Sequence, residues 1–231
     1  MSGVLQAEQV AKNPYPDAAG FVLAGGQSRR MGRDKALIEF AGRPLIAHAV
    51  STLSEVGLQP TIAGAQPGSR AALEAFAPVI EDSDPGRGPL GGVCSALASS
   101  AGRWAIFVSI DQPLLPASLL KYLIHHADVS GLAVTLASVS GFTQTFPAVL
   151  DRRTLPTLLK ELGSGRGRCF AAFREAATSL GEQISSIPVE FLAQAGAASH
   201  PYDLPISRWL MNLNSPEDLT SAEALMGVRI A

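Results

Sequence analysis

Residues 23–35 combine glycines and basic side chains in a pattern suited to binding phosphate groups. They read Leu-Ala-Gly-Gly-Gln-Ser-Arg-Arg-Met-Gly-Arg-Asp-Lys and follow directly on a short apolar run. Glycines just after a strand let the backbone approach a ligand closely and turn its N–H groups toward phosphate oxygens. Positive charge for several phosphates at once would come from four side chains: Arg29, Arg30, Arg33 and Lys35. The residue types alone leave open whether this is a phosphate-binding loop or an ordinary glycine turn beside a solvated basic face.

Two carboxylates are predicted just beyond the ends of other strands. Asp111 follows the apolar run 104–110, and Asp82 follows the shorter run 78–80. A carboxylate in the position of Asp111 can hold Mg²⁺, which usually keeps several waters and takes substrate phosphates as its other ligands. Asp82 could accept a hydrogen bond from a ribose hydroxyl or a base N–H. For each of them the alternative is a carboxylate that only caps a turn. Lys35 could lie over the phosphates as a point charge, or form a solvated pair with its acidic neighbour.

Several other classes of active site are not supported by the sequence. No histidine has metal-ligand spacing with another histidine or with a carboxylate, and no Ser-His-Asp or Cys-His arrangement indicates a covalent hydrolase. The glycines are not followed by Gly-Lys-Ser/Thr, so the loop is not a P-loop. A net charge of −2 argues against broad nucleic-acid binding and suits a small anionic ligand held by a local basic loop.

An alternation of strands, glycine or acidic loops and helices positions these residues, and it predicts an α/β domain with a mostly parallel sheet. The predicted strands of the first half cover residues 21–23, 61–63, 78–80 and 104–110. The predicted helices there cover 44–56, 70–76, 93–99 and 119–126. Ligands bind beyond the carboxyl ends of the strands in such sheets. We therefore expect three loops to meet at one crevice: residues 23–35, 82–92 and 111–113.

The second half of the chain has a different pattern. Two strand candidates, residues 133–139 and 146–150, are expected to form a hairpin outside the first half of the sheet. The following segments predict helices over 154–162 and 168–177, an edge strand over 184–189, a loop over 195–205 and a final strand over 207–213. Ser215 is the expected N-cap of the last helix, and Pro216 its first residue.

Length and composition favour one domain. With 231 residues, of which 47% are hydrophobic and 16% charged, the chain fits a single globular domain over residues 18–231 after a loose leader at 1–17. No apolar run reaches the length of about 18 residues that predicts a membrane span. Cys94 and Cys169 have no metal-ligand spacing and are expected to be reduced core thiols in a cytoplasmic protein.

Four segments, taken in order, closely resemble the molybdenum cofactor guanylyltransferases of the MobA type. Residues 23–35, with Gly-Arg-Pro-Leu-Ile at 42–46, are similar to the family's signature. Val-Ile-Glu-Asp at 79–82 then precedes Gly-Pro-Leu-Gly-Gly at 88–92, and Ile-Asp-Gln-Pro at 110–113 resembles the metal-carboxylate segment. Asn-Leu-Asn-Ser-Pro-Glu-Asp-Leu at 212–219 resembles the C-terminal motif, so the resemblance covers nearly the whole chain.

The resemblance implies a nucleotide-diphospho-sugar transferase-like fold: a three-layer, Rossmann-like α/β architecture whose mostly parallel sheet has helices on both faces and a small added hairpin. It implies Mg²⁺-dependent transfer of GMP from GTP to the terminal phosphate of molybdopterin, with Lys35 and Asp111 catalytic and Asp111 also the metal ligand. The nucleotide contacts that it implies are Leu23, Ala24, Gly25, Lys35, Asp82 and Asp111. Gly26 is added as a nucleotide contact from its place in the glycine loop, and Arg29 and Arg30 are candidate phosphate contacts because of their charge. Asn212 and Asn214 are pterin-side candidates, which could instead cap the last helix. Implied partners are the two substrates and, transiently, proteins of molybdenum insertion and molybdoenzyme maturation, without nucleic acid or membrane.

Two other functions stay open. Gln112 in the sequence Asp-Gln-Pro resembles the corresponding segment of the cytidylyltransferase branch of the family, whereas the pair of Gly25 and Gly26 favours the guanine branch. Another nucleotidyltransferase of the same fold, using CTP or making a sugar nucleotide, is therefore the first alternative. A protein that binds a nucleotide or cofactor without turnover is the second. Phe146 stands where many relatives have histidine, and Gly64 stands where a nucleotide-contacting asparagine is expected.

Overall fold

A six-stranded, mostly parallel sheet runs through the centre of the protein in the computed structural model, which describes residues 14–25, 34–65, 68–82, 86–165 and 167–227. Its six strands are β1 Ala18–Leu23, β4 Pro60–Ala63, β5 Trp104–Ser109, β6 Val134–Val139, β7 Phe142–Asp151 and β8 Ser185–Pro188. A separate two-stranded pair is formed by β2 Glu39–Phe40 and β3 Arg43–Pro44. The order across the main sheet is β4-β1-β5-β7-β6-β8.

Strand direction brings the ends of three strands to one edge. β1 pairs in parallel with both β4 and β5, while β7 runs antiparallel to both of its neighbours, β5 and β6. A single parallel bridge between Ile62 and Val79 extends the sheet beyond β4. The segments that follow β1, β4, β5 and Val79 therefore leave the sheet at the same edge, where ligands bind in parallel α/β sheets.

Helices cover both faces of the sheet. They are α1 Leu45–Val56, α2 Arg70–Leu73, α3 Pro89–Ser99, α4 Ala117–Ser130, α5 Leu155–Gly163, α6 Cys169–Ser179, α7 Val189–Gln194, α8 Ile206–Trp209 and α9 Pro216–Leu225. Successive residues of β5 point to opposite faces, as the pleat requires. Ile106 thus joins the core formed with α1 and α4, while Phe107 joins the core formed with α3, α5 and α6. These three layers confirm the predicted fold class.

Most of the predicted elements are confirmed, with small shifts at their ends. The expected third strand, residues 78–80, is reduced to the bridge at Val79, and α3 begins four residues before the predicted position 93. The apolar residues 36–40 contribute a 3₁₀ turn and β2. The hairpin of β6 and β7 does not stand apart, because β7 pairs with β5 and so belongs to the main sheet.

The predicted final strand over residues 207–213 is wrong. The chain forms the short helix α8 there, after Pro205 at its N-cap. The helix ends at Trp209, and the chain continues without regular structure, with Leu210 and Leu213 buried in the core. The indole of Trp209 donates a hydrogen bond to the carbonyl of Leu204 at 2.8 Å, which holds this turn against the core.

The amino-terminal side of the sheet carries the first described residues. Residues 1–13 of the predicted leader lie outside the part that the structure describes. The carbonyl of Asp17 accepts a hydrogen bond from the backbone of Trp104 at 2.9 Å, which continues the pairing of β1 with β5. Among the described residues, no helix is both long enough and apolar enough to cross a membrane.

Asp151 is a buried carboxylate at the end of β7 and is 1% exposed. It accepts hydrogen bonds of 2.9 Å from the guanidinium groups of Arg103 and Arg153 and from the backbone of Arg153. Burial acts to raise the pKa of Asp151, but these hydrogen bonds and the charge of Arg153 outweigh it and hold the pKa below its ordinary value.

We predict that Asp151→Asn lowers the free energy of unfolding at neutral pH by about 1–3 kcal/mol. Because the pKa of Asp151 is depressed in the folded state, its contribution is present above about pH 4 and is lost as the pH falls through the folded-state pKa. The variant should therefore show a flatter acid limb in urea unfolding measured against pH. Glu175→Gln, at an exposed carboxylate on α6, is the matched control. Equal acid limbs for wild type and Asp151→Asn would contradict this role.

Candidate active site

Lys35 occupies the centre of a small polar cluster at the carboxyl edge of the sheet. Its ammonium nitrogen donates a hydrogen bond of 2.8 Å to the side-chain oxygen of Asn214 and lies 3.6 Å from Oδ2 of Asp111. The side chain of Lys35 is 13% exposed and that of Asp111 is 26% exposed. The cluster is thus partly shielded from water but still open to a ligand, and it joins three segments that are remote in the sequence.

Each member of this cluster is held by its own local structure. Asp34 caps the 3₁₀ turn Lys35–Leu37 by accepting a hydrogen bond from the backbone of Ala36 at 3.0 Å. Asp111 lies two residues beyond the end of β5, and its carbonyl accepts a hydrogen bond of 2.8 Å from the backbone of Leu213. The C-terminal segment is thereby attached to the end of β5, which places Asn214 opposite Lys35.

Gln112 ties the same edge to two further segments. Its amide nitrogen donates to the carbonyl of Phe146 at 3.1 Å and to that of Leu210 at 3.4 Å. The side chain is 5% exposed. Gln112 therefore supports the position of its neighbour Asp111, a role that the resemblance to the cytidylyltransferase branch did not predict.

Three glycines allow the backbone segments at this edge to touch. A Cβ atom on Gly25, just past β1, would lie 2.4 Å from the carbonyl oxygen of Gly64, just past β4. A Cβ atom on Gly92, in the first turn of α3, would lie 3.0 Å from the Cα of Gly64. The N-terminal end of α3 carries a partial positive charge. Backbone close to a helix N-terminus is suited to an anionic ligand.

Asp82 lies beside α3. Its carboxylate accepts a hydrogen bond of 3.2 Å from the hydroxyl of Ser95, one turn beyond Gly92, and the residue is partly buried. Burial, with a smaller contribution from the negative charge of Asp82, raises the pKa of the Cys94 thiol to about 11. Cys94 is therefore a protonated core thiol at neutral pH and not a nucleophile.

The structure brings together part of each predicted loop. Gly25 and Gly92 both lie against the backbone of Gly64, and Lys35 meets Asp111 through the ion pair. The side chains of Leu23 and Ala24 are buried in the core, which leaves their backbone as the part that faces the edge. Asn212 is exposed two residues before Asn214. The remaining predicted contacts lie outside the described residues: Gly26, Arg29, Arg30 and Arg33.

The histidines that show pKa shifts are kept neutral by burial. Burial lowers the pKa of His48, His126 and His200. The neighbouring charge of His125 lowers the pKa of His126 further, by a smaller amount. His48 and His200 hydrogen bond the carbonyls of Phe40 and Leu114. In the part of the chain that the structure describes, no three His, Cys, Asp or Glu side chains are grouped to hold a metal ion.

A single carboxylate at the site nevertheless fits Mg²⁺. This ion is commonly bound through one or two protein carboxylates together with substrate phosphates and water. Asp111 offers a partly exposed carboxylate beside the cation of Lys35, at the edge where phosphates would enter. The donor set therefore suits an ion that arrives with a nucleotide, and does not suit a metal held by protein ligands alone.

The fold is that of nucleotide-diphospho-sugar transferase-like proteins. Residues 20–179 match the family described as the MobA-like NTP transferase domain, and the chain belongs to that family. A molybdenum cofactor guanylyltransferase of Vibrio atlanticus is 31% identical over 86% of this chain and 92% of its own length. One of Pseudomonas putida is 32% identical over 71% of this chain and 87% of its own length.

The fold is also found in a solved structure, molybdopterin-guanine dinucleotide biosynthesis protein A of Archaeoglobus fulgidus. Its TM-score is 0.73 at 20% identity, over 90% of this chain and 98% of that chain. At this level of identity the likeness establishes the architecture. The relatives of higher identity then place the chain among nucleotidyltransferases.

Sequence reasoning missed one residue beside the cluster. The carboxylate of Asp218 accepts a hydrogen bond of 2.9 Å from the backbone of Asn214. The signal was available in the spacing of Ser215 and Asp218, which is that of a capping box with aspartate in place of glutamate.

We predict that Gly25→Ala disrupts nucleotide binding, because the new Cβ would force the segments after β1 and β4 apart. The expected result is a loss of GTP affinity of at least about 10-fold, together with a lower melting temperature. Gly163→Ala, at a helical glycine whose Cβ would meet nothing within 4 Å, is the matched control and should keep wild-type affinity. Unchanged GTP affinity in Gly25→Ala, measured by calorimetry, would show that this backbone contact is not part of the site.

Proposed function

We propose that this protein is a molybdenum cofactor guanylyltransferase, which transfers GMP from GTP to the terminal phosphate of molybdopterin and releases pyrophosphate. The observation that carries the proposal is the ammonium of Lys35, held between Asp111 and Asn214 at the carboxyl edge of the sheet. A fixed cation beside a partly exposed carboxylate suits a nucleoside triphosphate. The names of the relatives that are more than 30% identical supply the substrates.

The reaction needs alignment and charge compensation more than proton transfer. A phosphate oxygen of molybdopterin attacks the α-phosphorus of GTP, and the bond from that phosphorus to the bridging oxygen of the β-phosphate breaks. The terminal phosphate is already an anionic nucleophile, so no side chain has to act as a general base. Lys35 would neutralise charge that develops on the phosphates, and the backbone beyond β1 would orient the nucleotide.

We assign Asp111 as the residue that would hold Mg²⁺. Bound there, the ion would polarise the phosphates of GTP and neutralise part of their charge. Asp111 also keeps Lys35 in place, since the two groups form an ion pair in the free protein. The same carboxylate would thus serve the ligand and the cation beside it.

The pterin side of the site is assigned to the segment that carries Asn212 and Asn214. Asn212 is exposed and close along the chain to Asn214, which already contacts Lys35. A molybdopterin phosphate on this side would meet GTP at Lys35. The unpaired, buried thiols of Cys94 and Cys169 support a proposed location in the cytoplasm, where disulfides are rare. Transient contacts with molybdenum-insertion and molybdoenzyme-maturation proteins remain part of this proposal.

The choice of base is the decisive test of the proposal. The protein is incubated with Mg²⁺ and molybdopterin and with GTP, CTP or ATP in turn, and pyrophosphate and dinucleotide are measured. We expect turnover with GTP, and none without Mg²⁺ or without molybdopterin. Turnover with CTP but not GTP would reassign the protein to the cytidylyltransferase branch. Tight GTP binding without pyrophosphate release would indicate a protein that binds nucleotides without turnover.

We predict that Asp111→Asn lowers kcat by at least about 100-fold, because it removes the metal-binding charge and the partner of Lys35. The melting temperature should stay close to that of the wild type, since the side chain is partly exposed. Asp128→Asn is the matched control, because this carboxylate contacts Trp104 at the opposite end of β5. Undiminished transfer by Asp111→Asn would remove Asp111 from the catalytic machinery.

A further inference from the structure

The carboxylate of Asp218 supports the residue that holds Lys35. Its Oδ2 accepts hydrogen bonds from the backbone of Asn214 and of Ser215, each at 2.9 Å. The side-chain oxygen of Asn214 in turn accepts from the ammonium of Lys35 at 2.8 Å. Asn214 therefore links the first turn of α9 to the cation of the proposed site, through its backbone on one side and its side chain on the other.

Asp218 also responds electrostatically to this arrangement. The backbone hydrogen bond from Asn214 is the largest influence on its carboxyl group and lowers its pKa, and the positive charge of Lys35 acts in the same direction. The carboxylate is thus ionised at neutral pH and ready to accept both backbone hydrogens. This ionisation agrees with the geometry of these hydrogen bonds.

We propose that Asp218 is a positioning residue, which fixes the backbone of Asn214 so that its side chain holds Lys35 at the site. The hydrogen bonds of Asp218 are with Asn214 and Ser215, and not with Lys35 or Asp111. This proposal rests on the proposed function only where catalytic activity is the quantity measured. A hydrogen bond to the backbone of Asn214 limits the directions in which the asparagine side chain can point, and small errors in the position of a catalytic group are costly.

A purely structural role is the competing explanation, and Ser215 separates the two. Ser215 is the other half of the capping box, and its hydroxyl accepts a hydrogen bond from the backbone of Asp218 at 3.2 Å. Ser215→Ala weakens the cap of α9 but keeps the carboxylate on Asn214. Asp218→Ala removes the cap and the support of Asn214 together. If capping alone matters, the two substitutions should have the same effect on the site.

The first measurement is the kinetics of GMP transfer by Asp218→Ala, Ser215→Ala, Asn214→Ala and the two double variants that contain Asn214→Ala. We expect Asp218→Ala to lower kcat by about 10- to 100-fold, with Ser215→Ala near wild type at a similar loss of melting temperature. Adding Asp218→Ala to Asn214→Ala should cause no further loss, because both act through the same hydrogen bond to Lys35. Asp218→Asn, which keeps an oxygen acceptor, should recover part of the activity.

The second measurement does not depend on the substrates. Acetylation of Lys35 by acetic anhydride, followed by mass spectrometry, reports how firmly its nitrogen is held. Asp218→Ala should speed this reaction and Ser215→Ala should not, with the exposed Lys160 on α5 as the internal reference. Equal labelling of Lys35 in both variants, or independent kinetic effects of Asp218→Ala and Asn214→Ala, would overturn the proposal. Absence of transfer by the wild type would refute the proposed function, while the labelling would still decide the role of Asp218.

Discussion

The arrangement of the site depends on one partly buried cation. The side chain of Lys35 is 13% exposed, and a partly buried cation is costly unless charged or polar partners replace the lost water. Asp111 and Asn214 provide those partners, one from the end of β5 and one from the segment before α9. The C-terminal segment must therefore return to the sheet for the site to exist. The hydrogen bonds from Leu213 to the carbonyl of Asp111 and from Gln112 to the carbonyl of Leu210 attach it there.

The sheet provides a rigid frame for this cation. The parallel strands β1, β4 and β5 end at one edge, and the glycine contact lets the backbone beyond β1 and β4 come closer than side chains would permit. A triphosphate entering here would meet backbone and a helix N-terminus on one side and the cation with its carboxylate on the other. Hydrogen bonds and an ion pair already hold Lys35, Asp111 and Asn214 in place in the free protein. Such positioning favours transfer chemistry based on alignment.

Local patterns in the sequence were sufficient to predict the strands and helices of the sheet, but not the side-chain contacts of the site. The apolar runs that became β1 and β5, and the serine and proline that begin α9, have unambiguous local signals, and the structure confirms them. The predicted strand over residues 207–213 is wrong because a short apolar run such as 209–211 does not distinguish a strand from other buried structure. The contact of Lys35 with Asn214 spans 179 positions, and no local pattern encodes a pairing at that separation. The same holds for Gln112, whose amide joins segments that only the folded sheet brings together.

A crystal structure of the protein with Mg²⁺ and a non-hydrolysable GTP analogue would show whether Lys35, Asp111 and the backbone at Gly25 together form the GTP site. We expect the triphosphate to lie against the ammonium of Lys35 and the backbone at Gly25, with the metal ion on the carboxylate of Asp111. An analogue bound elsewhere, with Lys35 still in contact with Asp111 and Asn214, would refute this assignment.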